Sequence, residues 1–169
     1  MPLKKTKKLK TISSTDLTTG EIRVVQAVSR DIPGMIELLE ELFSQEAEFR
    51  PEPEKQKKGL KMILCCPNTG RLFVAKPEGD DKILGMVSIL FTVSTALGGK
   101  ASIIEDMIVT RDYRGRGIGS LLLSEAVRFA CEKGVLRLSL LTDHDNAAAQ
   151  FFYEKHQFKK SEMILMRRQ

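Results

Sequence analysis

The chain has 169 residues, of which 42% are apolar and 29% are charged, as expected for one globular domain. No run of apolar residues approaches the ~20 needed to cross a bilayer, so we expect no membrane partner. Five lysines in the first ten residues match the whole net charge of +5. The near-neutral remainder argues against a nucleic-acid partner, which would need basic residues spread over one face of the fold.

Residues 1–20 hold few large apolar side chains, so we expect a flexible basic tail ahead of a single domain at residues 21–169. No apolar stretch follows the lysines, which argues against a secretory signal. The three cysteines, Cys65, Cys66 and Cys131, show no metal-binding spacing. Unpatterned thiols of this kind indicate a reducing compartment, and we expect a cytoplasmic protein without a metal.

The first predicted elements are one strand and two helices. Residues 22–28 predict the strand, and Asp31 is placed to cap a helix that has Pro33 in its first turn. Apolar residues recur at helical spacing as far as Phe43. The Pro-rich stretch at residues 50–54 separates this helix from a second one at 55–64. The first helix carries five acidic side chains, namely Glu37, Glu40, Glu41, Glu46 and Glu48.

The rest of the chain alternates strands with two further helices. Residues 72–76 and 83–93 predict strands joined by a hairpin, and residues 101–109 predict another strand. A glycine-rich segment at 114–119 then leads into a helix that reaches Lys133, followed by a strand at 135–141. A last helix at 146–156 and a closing strand or hairpin at 158–167 complete the pattern. The order predicts a mixed α/β (α+β) fold with several antiparallel connections.

The glycine-rich segment Arg114-Gly-Arg-Gly-Ile-Gly119 follows a strand and opens a helix. Glycines allow a tight turn and close approach of a ligand, and the amides at a helix N-terminus attract anions such as a pyrophosphate. The segment lacks the Lys-Ser or Lys-Thr of a nucleotide-binding P-loop. It also comes too late in the chain for the dinucleotide-binding fingerprint, which opens an alternating parallel sheet.

Two motifs together resemble the GNAT superfamily of N-acetyltransferases. Arg114, Gly117 and Gly119 match that family's pattern of Gln or Arg, two free positions, Gly, one free position, then Gly or Ala. Further on, Asn146, Phe152-Tyr153 and Phe158 match its next block, although Gln157 stands where Gly is usual. The resemblance implies a splayed mixed β-sheet of about six to seven strands with helices on both faces. Homodimers are common in the family, and a homodimer remains open.

The resemblance also implies acetyl-coenzyme A as cosubstrate, lying between strands 101–109 and 135–141. Its pantetheine arm would bind the backbone of the first strand at Met107, Ile108 and Val109. Asn146 would bind that arm or cap the last helix. The pyrophosphate would bind the loop and the start of the following helix, that is Arg114, Gly115, Arg116, Gly117, Ile118, Gly119 and Ser120.

Acetyl transfer to an amine needs a base and a proton donor. Glu105, a carboxylate in an otherwise apolar strand, is the predicted base, and the resemblance places Tyr153 as the acid toward the coenzyme A sulfur. Asp106 points to the other face of an ideal strand, but a β-bulge would exchange the two carboxylates' roles. The predicted activity is transfer to a primary amine, with a small molecule favoured over a protein amine. The alternative is a non-catalytic coenzyme A-binding sensor or regulatory module.

Overall fold

In the computed structural model, residues 21–45 and 49–168 are described. The predicted tail at 1–20, together with Glu46 and Glu48, lies outside these ranges. Short 3-10 turns at Ser29–Asp31 and Arg111–Tyr113 accompany nine longer elements in the described ranges. In chain order these are β1 (Ile22–Gln26), α1 (Ile32–Phe43), α2 (Pro53–Cys65), β2 (Gly70–Pro77), β3 (Gly85–Ser94), β4 (Gly99–Val109), α3 (Ile118–Glu132), β5 (Arg137–Leu140) and α4 (Ala147–Lys155).

The strands form one sheet in the order β1-β2-β3-β4-β5. The first four are antiparallel neighbours, whereas β5 lies parallel to β4 after the crossover through α3. The parallel pairing runs from Ala101 opposite Arg137 to Ile104 opposite Leu140 and then stops, while β4 continues to Val109. The last five residues of β4 therefore have a strand partner on the β3 side alone within the described residues.

Helices cover both faces of the sheet. α3 packs on one face against Phe73, Val87 and Ile104, and α1 and α2 pack on the other against Val74 and Met86. The side chains that α3 buries include those predicted from its spacing, namely Ile118, Leu122, Ala126, Phe129 and Ala130. Within the described ranges, no helix combines the length and the apolar character that a bilayer crossing requires. The mixed α/β fold is confirmed.

The predicted strand count of six to seven is wrong for the described residues, which form five strands. The closing strand or hairpin expected at residues 158–167 is absent, and this stretch forms no strand pairing. Met163, Ile164, Leu165 and Met166 are instead 54–89% exposed. The physical reason is the lack of alternation between apolar and polar residues. Four consecutive apolar residues flanked by charges place apolar side chains on both faces of a strand, so neither face is distinguished as the one to bury.

The start of α1 is tied to β2 by a buried ion pair. Asp31 occupies the N-cap position, as predicted, but its side chain makes no capping hydrogen bond to α1. Its carboxylate accepts a hydrogen bond from the backbone N–H of Val28 at 3.0 Å and another from Lys76 Nζ at 2.6 Å. The side chains of Lys76 and Asp31 are 2% and 3% exposed, and the exposed Asp81 carboxylate lies 3.4 Å from the same ammonium.

Candidate active site

A β-bulge interrupts β4 at Asp106. Met86 of β3 pairs with Ile108 and Ser88 pairs with Glu105, so the single residue Val87 lies opposite two residues of β4. Asp106 has φ +46°, a left-handed conformation that aspartate tolerates better than most residues. In an ideal strand Glu105 and Asp106 would point to opposite faces.

The bulge instead turns Asp106 toward the cross-strand partner of Glu105. The Oδ2 atom of Asp106 lies 3.4 Å from Ser88 Oγ, and the same hydroxyl donates to the Glu105 carbonyl oxygen at 2.9 Å. Ser88 is fully buried, while Glu105 is exposed and Asp106 is partly buried. The two neighbouring carboxylates therefore share one region of the strand but differ in their contact with solvent.

The surroundings of Asp106 favour its protonated form. Burial, and next the negative charge of Glu105, raise the pKa of Asp106 from 3.8 to about 6, and the hydrogen bond from Ser88 opposes the rise. A carboxyl group with this pKa is ionised at pH 7 and still has a substantial affinity for a proton, which is what a general base requires. Of the two neighbouring carboxylates, Asp106 is therefore the one whose pKa is raised.

The stretch of β4 from Glu105 to Val109 borders the gap where β5 has ended. Ile108 buries its side chain on the α1–α2 face, and Met107 and Val109 pack partly against the α3 face. Because β5 pairs only as far as Ile104, this edge of β4 has no strand partner beyond that residue within the described residues, although the Val109 carbonyl oxygen accepts a hydrogen bond from Arg114 Nε. The predicted pantetheine-binding residues therefore lie together along one side of an open wedge.

The loop that leads into α3 is built from left-handed glycines. Gly115 has φ +75° and Gly117 has φ +82°, and Gly117 occupies the N-cap of α3 without a side chain that could cap it. The helical ladder starts with the bond from Leu121 N–H to the Gly117 carbonyl oxygen at 3.1 Å. The amides of Ile118, Gly119 and Ser120 have no intrahelical partner and carry the positive end of the helix dipole. This loop and the first turn of α3 (residues 115–120), called the anion cradle below, offer backbone N–H donors of the kind that bind anions.

The two arginines of the loop have different surroundings. Arg114 Nε donates to the Val109 carbonyl oxygen at 2.8 Å, and its guanidinium bonds Glu41 of α1 at 2.7 Å. The side chain of Arg114 therefore fastens the loop to the end of β4 and to α1. Arg116 is exposed and lies 5.0 Å from the centre of the Tyr113 ring, free of any ion pair within the described residues.

Helix α4 packs against the first turn of α3 through Phe152 and His156. Asn146 caps it by accepting a hydrogen bond from Ala149 N–H at 3.0 Å, so capping is the role that the structure shows. Tyr153 packs edge-on against Phe152 and Phe158, and its hydroxyl makes no hydrogen bond within the described residues. Burial raises the pKa of Tyr153, so the phenol is protonated at neutral pH. No hydrogen bond joins it to Glu105 or Asp106 in the part of the chain that is described.

Sequence reasoning missed two residues that the fold brings to the site. Ser88 was detectable as a polar residue inside the apolar run of β3, but its closeness to Asp106 depends on the bulge. His156 occupies the C-cap of α4, at the end of the helix predicted for residues 146–156. Its Nε2 also lies 3.0 Å from Ser120 Oγ, a contact over 36 residues that no local pattern reveals. The described residues include no cluster of three metal-ligating side chains.

The glutamates of α1 border a separate cavity. A space of about 450 Å³ between α1 and the β2–β3 connection is lined by Glu37 and Glu41, whose spacing places them on one side of the helix. The lining also includes charges of both signs, namely Asp31, Asp81, Arg30 and Lys82. Since Glu41 already pairs with Arg114, this cavity presents no uniform negative field for a cationic acceptor.

Residues 33–158 match the profile of the acetyltransferase (GNAT) family. Streptothricin acetyltransferase A of Bacillus subtilis (strain 168) is 42% identical over 57 residues, which make up 34% of this chain and only 33% of that relative's length. A possible acetyltransferase from Clostridium difficile 630 superposes with a TM-score of 0.76 at 19% identity, over 88% of this chain and 97% of that one. A predicted acetyltransferase with acetyl-CoA from Clostridium acetobutylicum gives 0.70 at 18% identity, over 87% and 96%.

Proposed function

Because the chain belongs to the acetyltransferase (GNAT) family, we propose that it is an N-acetyltransferase that moves an acetyl group from acetyl-CoA directly to a primary amine. One observation carries the proposal. Asp106, a partly buried carboxyl group whose pKa lies at about 6, lies in the stretch of β4 that has lost its β5 partner. A strand edge, an anion cradle and a group able to accept a proton thus occur along one continuous segment of the chain.

The residues that would hold acetyl-CoA follow from this arrangement. The backbone of Met107, Ile108 and Val109 offers hydrogen bonds to the pantetheine arm, and the amides from Gly115 to Ser120 offer them to the diphosphate. When bound, the thioester supplies an electrophilic acyl carbon and a thiolate leaving group. Arg114 acts by holding the loop, while Arg116 adds a solvent-screened positive charge.

Asp106 is the proposed base, in place of Glu105. An amine that arrives as an ammonium ion cannot attack a carbonyl carbon until it loses a proton, and a carboxylate with a pKa near 6 accepts that proton directly or through one water. Glu105 contributes by its charge, which raises the proton affinity of Asp106. The Tyr153 phenol, protonated at neutral pH, is the proposed donor to the thiolate.

We favour a small-molecule acceptor over a protein amine, and a cytoplasmic location suits the free thiols of Cys65, Cys66 and Cys131. The test is release of free thiol from acetyl-CoA across a panel of amino sugars, amino acids, polyamines and peptides. Mass spectrometry of the product would check for one added acetyl group. Binding of acetyl-CoA without thiol release on any amine would contradict the proposal and favour the non-catalytic coenzyme A-binding module.

Tyr153→Phe tests the proton donor. Removal of the hydroxyl alone preserves the ring contacts with Phe152 and Phe158, so acetyl-CoA affinity is expected to hold. We expect kcat to fall by roughly 10²–10⁴-fold, the usual contribution of a general acid. Steady-state kinetics would measure kcat, and calorimetry would measure affinity. A kcat close to that of the unmodified enzyme would assign the leaving-group proton to water.

A further inference from the structure

The contact between Ser120 and His156 has no part in the acid–base scheme above. Ser120 lies in the first turn of α3, and His156 is the C-cap of α4. Their side chains meet with Oγ and Nε2 3.0 Å apart, and both residues are partly buried. The contact brings an imidazole to the edge of the anion cradle.

Aromatic packing fixes the position of this imidazole. The Phe152 ring lies 4.7 Å from the His156 ring, centre to centre. The same Phe152 ring is the nearest neighbour of Gly119, where an added Cβ would meet it at 3.5 Å. The C-terminal end of α4 therefore packs on the first turn of α3, and this holds His156 against Ser120. Burial lowers the pKa of His156, so the ring is neutral at neutral pH.

A neutral imidazole has one donor and one acceptor nitrogen, and the partner of Nε2 here is a hydroxyl. When Nε2 carries the hydrogen, it donates to Ser120 Oγ, and the hydroxyl keeps its own hydrogen for a second acceptor. The hydroxyl of Ser120 lies on the first turn of α3, where the backbone amides also lack intrahelical partners. A hydroxyl donor would thereby join the backbone donors around a bound anion.

We propose that His156 is a positioning residue that holds the Ser120 hydroxyl so that its hydrogen points to a diphosphate oxygen of acetyl-CoA. The inference rests on the proposed function, because it needs the cradle to bind that diphosphate. His156 acts through Ser120 and does not touch the reacting atoms. The negative charge of the diphosphate favours the protonated imidazole, so binding also raises the proton affinity of His156.

Ionisable groups on the neighbouring elements define the electrostatic background of His156. The recorded side-chain contacts of the imidazole in the described residues are Ser120 and Phe152. On α4, on the segment after it, and on α3 with the loop before it, the charged groups are Glu154, Lys155, Lys159, Lys160, Glu162, Arg167, Arg168, Arg111, Asp112, Arg114, Arg116, Glu125, Arg128 and Glu132. Their charges are present with and without the ligand, so a change on binding reports the ligand's own charge.

A double-mutant cycle on acetyl-CoA affinity tests the inference. Ser120→Ala removes the hydroxyl, and His156→Phe keeps a ring against Phe152 but lacks the nitrogen. We expect calorimetry at pH 7.5 to show each variant binding about tenfold more weakly, as for a lost hydrogen bond to a charged group, and the double variant no weaker than either. Independent, multiplying effects would overturn the inference. His144→Phe, in the exposed loop after β5, is the matched control and should bind normally.

Proton NMR of the unmodified protein provides a second measurement that needs no folded variant. The chain has two histidines, so the two imidazoles give separate titrations. We expect the pKa of His156 to rise on saturation with acetyl-CoA, while that of His144 stays constant. If the unmodified protein binds acetyl-CoA and the His156 titration does not move, the inference fails and the proposed function stands. If it does not bind acetyl-CoA, both fail.

Discussion

Two regions of the molecule remove an aspartate from solvent, and they treat it in opposite ways. At the start of α1, Asp31 is 4% exposed. Its carboxylate accepts hydrogen bonds from the Lys76 ammonium at 2.6 Å and from the Val28 backbone N–H. At the bulge of β4, Asp106 has the Ser88 hydroxyl at 3.4 Å and the like-charged Glu105 beside it. Among the recorded contacts of the described residues, no cation reaches Asp106.

The difference separates a structural carboxylate from a chemical one. A buried charge that is paired with a lysine and an amide is compensated by them, and removal of one partner leaves the other uncompensated. A buried carboxyl group beside a like charge holds its proton more tightly, and this readiness to exchange a proton is common at catalytic sites. The two aspartates therefore differ in the sign of the charge beside them, which is positive at Asp31 and negative at Asp106.

The largest expected effect comes from Asp106→Asn. The amide keeps the size of the side chain but cannot accept a proton from the amine, so kcat should fall by roughly 10²–10⁴-fold on the acceptor identified in the panel. Acetyl-CoA affinity should stay within about twofold, since the diphosphate cradle lies outside the bulge. Steady-state kinetics and calorimetry check the two values. If kcat is nearly unchanged, Asp106 is not the base, and Glu105 or a water bound along β4 takes that role.

Loss of the ion pair between Asp31 and Lys76 should lower the stability of the fold rather than the activity. Lys76→Met leaves Asp31 buried without its cation, and breaking such a pair typically costs about 3–5 kcal/mol of the free energy of unfolding. The double variant Lys76→Met/Asp31→Leu removes both charges and should recover most of that loss. Urea unfolding measures both variants. A loss below ~1 kcal/mol for the single variant would show that Asp31 is stabilised without Lys76.

Asp106→Asn should stabilise the fold while it lowers activity. The folded protein raises the pKa of Asp106 from 3.8 to about 6, so its protonated form is favoured by folding. Protonated Asp106 therefore contributes about 2–3 kcal/mol to the free energy of unfolding below pH ~4. This contribution is lost as the pH rises through ~6. The variant should lack this loss and exceed the parent at pH 8. Unfolding curves of both proteins at pH 4 and pH 8 measure this difference in stability. If the variant and the parent differ equally at the two pH values, protonation of Asp106 does not contribute to stability as proposed.

The smallest expected effect belongs to Glu105→Gln. Removal of the neighbouring negative charge lowers the pKa of Asp106, so the acid limb of the pH–rate profile should move down by roughly one pH unit or less. At pH 8, where Asp106 is ionised in both proteins, kcat should stay within about threefold. A fall at pH 8 as large as that of Asp106→Asn would return the catalytic role to Glu105.

Local patterns were enough to predict most elements of the fold. The helical spacing in α3 reflects one buried face, whereas the apolar run of β2 is buried on both faces of the sheet. The predicted helix ends as expected near Lys133, and Gly134 after it has φ +68°. The expected strand at 158–167 failed because hydrophobicity without alternation does not identify a strand.

The functional geometry depended on pairing between distant residues. The bulge at Asp106 follows from the register between β3 and β4, which neither strand's own sequence determines. The contact between Lys76 and Asp31 spans 45 residues, and that between Ser120 and His156 spans 36. The motifs therefore pointed to a candidate site, whereas the bulge at Asp106 and the side-chain contacts of the loop required the three-dimensional arrangement.

The short parallel pair between β4 and β5 has a consequence for local unfolding. β5 pairs through only four residues, none of them fully buried, and α4 after it buries none either. Segments with so little buried surface open at a lower free energy than the core strands, so the amides of β5 and α4 should exchange with deuterium before those of β2 and β3. A ligand bridging the wedge would slow exchange there first. The free energy of local opening of β5 and α4 would then depend on whether a ligand is bound beside β4.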